Sequence, residues 1–231
     1  MRAILLCLVF CWIHFVYGVN PPNNAIAQST GGACVTHINA FAIENNVGAL
    51  GFSESAISLN AGNLYGLTDY SHFQMAGVWQ QDFASIGVSY KSTPSSSFTE
   101  QKLQIGISKK LAENLSLGIS LNYLNWRSTD AYYSPISILS GGIGVYYSIN
   151  DDLNAGFSAS NPTRSTYSQD NIESYPAQYR FGLSYAIAPN IKTYTDFLQV
   201  TGQNLNLQVG AELTKEKYRI RGGFDLQNAL S

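Results

Sequence analysis

The sequence predicts an all-β chain, a transmembrane antiparallel β-barrel, and three observations carry that prediction. The first is a period of two. From Leu115 to Tyr123 every odd position is large and apolar and every even one is small or polar, so successive side chains fall on opposite faces of one strand. The same phase runs through 103–108, 179–185 and 205–210. The second is composition. Charged residues make up 12% of the chain, against about 25% in ordinary soluble domains, and the polar face uses Gly, Ser and Asn where a solvated sheet would carry Lys, Glu and Thr. Aromatic residues reach 13%, with 15 Tyr. Tyr65, Tyr70, Trp79, Tyr90, Tyr123, Trp126, Tyr185 and Tyr218 sit near strand ends, as in the aromatic girdles of outer-membrane barrels. The third is an alternation of short and long connections, which such barrels show between their two sides. An exported soluble β-sandwich shares the period of two; composition and connections weigh against it.

Residues 1–18 read as a secretory signal peptide. Met1 and Arg2 precede an apolar run from Ala3 to Val16, and Gly18 is a small residue at a suitable cleavage point. Beyond that run no window approaches the ~20 apolar residues of a membrane helix, so any span in the rest of the chain must be β. Cys7 and Cys11 lie in the signal segment, which leaves Cys34 alone and no internal disulfide; Leu6 and Phe10 are too large for a lipidation site at either early cysteine. The net charge of -2 becomes -3 without Arg2, and nothing points to a nucleic-acid partner.

From Val19 to Thr30 the Pro- and Asn-rich chain reads as a flexible leader. Small residues with a short helix around Ile38 to Asn45 follow, so 19–52 form a leader and a possible luminal hatch, and 53–231 form the barrel domain. The expected strands are 57–65, 71–80, 83–91, 100–111, 115–126, 141–149, 153–160, 177–187, 191–200, 204–214 and 217–226. Tight turns fall at 81–82, 112–114, 150–152, 188–190 and 215–216, built from turn-favouring residues. Ser92–Thr99, Arg127–Ser140 and Asn161–Pro176 are the long outer loops, with 201–203 a short exception. About eleven strands leave the last one ending on the outer side, whereas such barrels have an even number. A partial sequence, or an edge closed by another chain, is therefore expected.

Gly31-Gly32-Ala33-Cys34-Val35, then Ala40-Phe41-Ala42 and Asn45-Asn46-Val47-Gly48-Ala49-Leu50, resemble the opening of the PorV/PorQ outer-membrane proteins, members of the wider FadL-like group of barrels. Val47 stands where that family has Pro, and Gly48-Ala49 reverses its small pair. The segment from Tyr218 to Phe224 is similar to the family's Leu-Arg-x-Gly-Tyr strand. The resemblance implies about 14 strands in the whole barrel, an even number, and an outer-membrane location in the Bacteroidota. It also implies one of two non-enzymatic roles: a part in protein secretion or surface display of the type IX kind, or a FadL-like conduit for hydrophobic small molecules. A purely structural outer-membrane protein is a further alternative.

The last four strands carry Arg180, Lys192, Asp196, Glu212, Arg219, Arg221 and Asp225 in one phase. Charges facing lipid near the midplane would cost ~2–4 kcal/mol each for basic residues, so this phase should face the lumen. It reads as a polar track or hatch-docking site, or as a self-satisfying ladder. A turn at Lys215-Glu216 would set Glu212 opposite Arg219. Gly31, Gly32, Ala33, Asn45, Asn46, Gly48 and Leu50 are the expected hatch residues. His37 and His72 have no Ser and acid beside them in any recognisable pattern, and no catalytic, cofactor or metal-ligand set is evident. Expected partners are outer-membrane lipid and lipopolysaccharide. Secretion-apparatus or cargo proteins would dock on the Tyr-rich loops 131–136 and 167–175, and a hydrophobic small molecule is the alternative ligand.

Overall fold

Eleven strands form one sheet in which each is antiparallel to the next and spatial order follows chain order. They are β1 (Ala56–Asn63), β2 (Ser71–Gln80), β3 (Ser85–Pro94), β4 (Phe98–Ala112), β5 (Leu115–Ser128), β6 (Ile136–Ser148), β7 (Leu153–Ser160), β8 (Gln178–Ala188), β9 (Ile191–Val200), β10 (Asn206–Lys215) and β11 (Tyr218–Asp225). The computed structural model describes residues 24–63, 71–130, 132–166 and 175–226. The signal peptide, Tyr65, Tyr70 and most of the loop 167–175 lie outside the described residues. No helix among them is long and apolar enough to cross a membrane.

Two expected long loops are short. β3 and β4 pair on to Pro94 and Thr99, β4 itself begins at Phe98 so that three residues separate the two strands, and β6 begins at Ile136. Their Ser and Thr residues signal loop, but above the apolar band both strand faces meet water, so polar side chains cost the ladder nothing. Pro94 is tolerated because it sits at a strand end. The last hairpin also departs from expectation. Lys215 pairs with Tyr218, and Glu216 takes φ 52 in the turn. Glu212 therefore faces Arg221, and Thr214 faces Arg219. The register moves by two residues, which leaves every side chain on its expected face.

The two faces are sorted inside out. Leu103, Ile105, Ile107, Ile119 and Leu121 are 39–58% exposed, whereas Gln104, Ser108, Ser116 and Asn122 between them are at most 5% exposed. A soluble protein rarely exposes so continuous an apolar surface, and a lipid-facing wall requires one. Trp79, Tyr147, Tyr185 and Tyr218 crown that wall at the tight-turn end, with Tyr123 and Tyr179 at the other.

The N-terminal segment shows that the sheet is curled. Laid flat, eleven strands would span about 50 Å. The Ala25 N–H donates to Asn60 Oδ1 of β1 at 3.2 Å, while Gly31 rests on the Phe224 backbone of β11, where a Cβ would come within 2.3 Å of the nitrogen. Six residues reach at most ~20 Å, so the two edges must approach each other around the segment. Among the described residues β1 and β11 do not pair.

This segment holds helix α1 (Ala25–Ser29), the helical turn α2 (Ala42–Asn45) and a 3-10 turn at Val47–Phe52. α1 replaces the latter part of the expected flexible leader. Asn24 caps it by accepting from the Ala27 N–H at 3.0 Å, which satisfies an otherwise orphan donor. Phe41, Ile43, Val47 and Leu50 bury against Ala76, Val78 and Tyr146 of the wall. They come this close because the inward face carries glycine on most strands: Gly87, Gly106, Gly118, Gly144, Gly156, Gly210 and Gly223. A Cβ on Gly118 would lie 2.6 Å from the Val47 carbonyl oxygen, and one on Gly87 2.6 Å from Leu50 Cδ1.

Candidate functional site in the barrel interior

The seven charges expected on the inward face fall into two groups, each against a different part of the N-terminal segment. In the first, β9 places Asp196 at 0% exposure. Its Oδ2 accepts from the backbone N–H groups of Cys34 at 2.7 Å and Val35 at 2.9 Å. Arg180 on β8 donates through Nη1 to Gly32 O at 2.6 Å, Gln208 Oε1 at 2.7 Å and Asp196 Oδ2 at 3.3 Å. Gln208 in turn donates to Asp225 at 3.0 Å. Gly31 and Gly32 adopt φ of 65° and 92°, the left-handed region open to glycine, and this turns both a carbonyl and the following N–H groups toward the wall. Asp196 and Arg180 grip the segment by its backbone, and Gln208 and Asp225 brace Arg180 from behind.

The second group lies toward the tight turns. Arg221 Nε donates to Glu212 Oε2 at 2.5 Å, and Lys192 and Arg219 share a cavity with them beneath residues 36–39. The expected row of seven charges thus lies on one face but works as two clusters.

The remaining expected hatch residues are used through small size and amide chemistry. Asn46 Nδ2 donates to Val35 O at 2.8 Å and Val145 O at 2.9 Å, and its Oδ1 accepts from the Gly48 N–H at 3.0 Å. The Gly48 carbonyl accepts from Ser108 at 3.0 Å and Ser116 at 2.8 Å. Ala33, Asn45 and Leu50 are buried. Burial pushes the Cys34 thiol up to about 12, against the opposing pull of Arg180. Burial, then the charges of Arg221, Lys192 and Arg180, lowers His37 to about 3. His72 on β2 lies 3.2 Å from the Asn60 amide. Among the described residues no three His, Cys, Asp or Glu side chains converge to hold a metal ion.

The mouth of the barrel holds a feature the sequence reading missed. Trp126, assigned there to a girdle, lies on the inward face, in phase with Asn122 and Leu124. With Phe98, Tyr133 and Ile136 it walls a largely apolar cavity of about 390 Å³, which Arg127, Ser128 and Ser134 also line. Glu100 is the one acid in that wall, and it accepts from Trp126 Nε1 at 2.7 Å, so the ring is fixed. On the next inward rung Leu124 pairs with Ile138, both 6% exposed. The following rung is Asn122 with Ser140, and below it Gln104 Nε2 donates to the Ile43 carbonyl at 2.5 Å. The apolar wall ends where the N-terminal segment begins.

An inside-out antiparallel sheet, curled around an N-terminal segment that fills its interior, is the fold of an outer-membrane β-barrel with a plug. No protein-family model matches the sequence, and no curated protein is significantly similar to it. Solved structures share the fold at low identity. The Pseudomonas putida toluene transporter TodX superposes with a TM-score of 0.68 at 11% identity, over 89% of this chain and 83% of that one. The CymD monoaromatic hydrocarbon channel gives 0.62 at 13%, over 89% and 82%. The Ralstonia pickettii toluene transporter TbuX gives 0.56 at 11%, over 93% and 80%. At this identity the likeness is one of fold, an antiparallel outer-membrane barrel, and the PorV/PorQ resemblance gains nothing from it.

Proposed function

We propose that the chain is a non-enzymatic outer-membrane conduit that admits small hydrophobic molecules. The carrying observation is the apolar cavity at the inner face of the mouth. A water-filled pore would line that position mainly with polar groups; here Phe98, Trp126, Tyr133 and Ile136 supply most of the surface, with Glu100, Arg127, Ser128 and Ser134 at its edge, and Leu124 and Ile138 continue the apolar side inward. The fold likeness to proteins described as toluene transporters and a monoaromatic hydrocarbon channel supports the same reading. Aromatic walls whose one acid, Glu100, is engaged by an indole and stands in a lining that also holds the basic Arg127 suit an uncharged ligand with mainly apolar surface. Passage beyond Ile138 requires the N-terminal hatch to shift.

The test is uptake of radiolabelled toluene by cells exporting the chain, compared with cells lacking it and with the Trp126→Ser variant. Removing the indole forfeits ~2 kcal/mol of apolar contact, so initial uptake at low toluene should fall about tenfold or more. Equal uptake with and without the protein would sink the conduit. A stoichiometric protein partner recovered from native membranes, with no hydrocarbon effect, would instead favour the secretion or surface-display role, with the exposed Tyr132–Tyr133 pair as a place for such a partner to dock.

A further inference from the structure

At the tight-turn end, between residues 36–39 and the inward faces of β9, β10 and β11, lies a second cavity of about 200 Å³. Its charges do not balance. Glu212 is the one carboxylate in the lining and is already engaged, by Arg221 at 2.5 Å and the Thr214 hydroxyl at 3.3 Å. Lys192 and Arg219 line the same space and make no salt bridge among the described residues; Lys192 Nζ lies 5.7 Å from the centre of the Tyr194 ring.

The hatch side adds donors that lack acceptors. Thr36 Oγ1 and both ring nitrogens of His37 are buried with no hydrogen-bond partner, although the residues are 1% and 5% exposed and both line the cavity. Buried polar groups without partners are costly and uncommon. Holding His37 neutral leaves its ring one N–H to donate. Tyr194, which meets the His37 ring edge-on at 4.5 Å, and the side chains of Ile26 and Ile38 supply an apolar wall in the same cavity.

We infer that this cavity binds a small organic carboxylate, its anion between Lys192 and Arg219 with Thr36 and His37 as donors, and its carbon body against Tyr194, Ile26 and Ile38. Three cations against one carboxylate, Lys192 facing that same Glu212 across the ladder, together with orphan donors call for an anion. The apolar wall calls for an organic one, which a bare inorganic anion would leave uncovered. Binding here is independent of transport through the mouth, because it is read at a different end of the interior and needs no flux.

The probe is sodium benzoate, titrated at constant ionic strength into the full chain in neutral detergent, with the histidine ring resonances followed by NMR. The His37 signals should move saturably while those of His72, engaged by Asn60, stay in place. Arg219→Gln should weaken the apparent affinity about tenfold or more, the loss expected for one charge-assisted hydrogen bond. Lys215→Gln, on the outward face of the same hairpin, should leave it unchanged. Benzyl alcohol, with the same ring and no charge, should bind at least about tenfold more weakly than benzoate, and inorganic phosphate should not displace benzoate at equal concentration. The inference is overturned if benzyl alcohol or phosphate matches benzoate, or if His37 stays in place throughout. A toluene-uptake failure would leave these outcomes untouched.

Discussion

Replacing Asp196 by Ala should release the hatch from the wall without unfolding the barrel. The carboxylate accepts two backbone N–H bonds, at 2.7 and 2.9 Å, and faces Arg180 at 3.3 Å. Hydrogen bonds to a charged group contribute ~1.5–3 kcal/mol each, and deleting one member of a buried ion pair costs ~3–5 kcal/mol. Arg180 keeps Gly32 O and Gln208 Oε1 as acceptors, which holds the loss to the low end, about 3 kcal/mol. That raises the population of the released hatch by about a hundredfold. Cys34 reports it directly. It is 2% exposed, its own N–H is one of the two held by Asp196, and in the chain from Val19 onward it is the sole cysteine. In the closed state burial holds the thiol protonated, near 12; release returns it to an ordinary thiol of ~8.5. Maleimide labelling at pH 8 should therefore be slow in the parent and about a hundredfold faster in Asp196→Ala, with heat-modifiable gel migration retained. A variant that keeps the barrel and labels at the parental rate would refute the grip.

Gly118→Ala should lower the thermal midpoint by the equivalent of ~1–3 kcal/mol, since its Cβ would sit 2.6 Å from a backbone oxygen of the hatch. Gly222→Ala, which meets nothing within 4 Å, should stay within ~0.5 kcal/mol. Arg221→Glu should destabilise by about 1 kcal/mol or more, and Glu212→Arg added to it should restore the midpoint, because these two residues pair directly; if Glu212→Arg rescues Arg219→Glu but not Arg221→Glu, the register of the last hairpin is wrong. For His37, folding lowers the pKa from 6.5 to about 3, so between those values the unfolded state binds a proton that the folded state does not. Stability contributed by neutral His37 is thus present above pH 6.5 and is lost on acidification by up to ~1.4 kcal/mol per pH unit. Thermal midpoints of the parent between pH 6 and 4 should fall more steeply than those of His37→Gln, and equal slopes would contradict the burial of a neutral ring.

The wall was legible because each strand repeats one instruction. Alternation from Leu115 to Tyr123 places Ser116, Gly118, Ser120 and Asn122 on one face whichever residues the neighbouring strands supply, and pairing in chain order then needs only tight turns. Strand ends were legible only where the apolar band stops at a turn. Where β3, β4 and β6 continue beyond the band, as at Thr93 with Glu100 and Trp126 with Ile136, local composition carries no signal, because a solvated hairpin and a polar loop use the same residues. The last turn moved from Lys215-Glu216 to Glu216-Lys217 for a similar reason. Both pairs are charged, and the left-handed φ of Glu216 is set by the twist of the hairpin rather than by a residue that prefers it.

The interior was half legible, and the boundary falls between parity and partnership. Parity alone puts Arg180, Asp196, Glu212 and Arg221 inside. Glu212 and Arg221 find each other across the last hairpin, but Arg180 and Asp196 find partners in a segment about 150 residues away in sequence, whose contacts are made by backbone groups of Gly32, Cys34 and Val35, and any residue type offers those. The choice between a hatch-docking site and a self-satisfying ladder stays open in the sequence for that reason. The mouth cavity was a different kind of miss, since its signal was present. Trp126 stands two residues beyond Leu124 and four beyond Asn122, in the polar phase of its strand, whereas Tyr123 is in the apolar phase. A girdle residue must share the phase of the lipid face. A large aromatic in the opposite phase at a strand end therefore marks an apolar surface inside the barrel, and Ile136 and Ile138, in the inward phase of the neighbouring strand, extend it. Phase, rather than proximity to a strand end, sets Phe98, Trp126 and Ile136 on the inner face and distinguishes an apolar mouth from a polar one in the sequence itself.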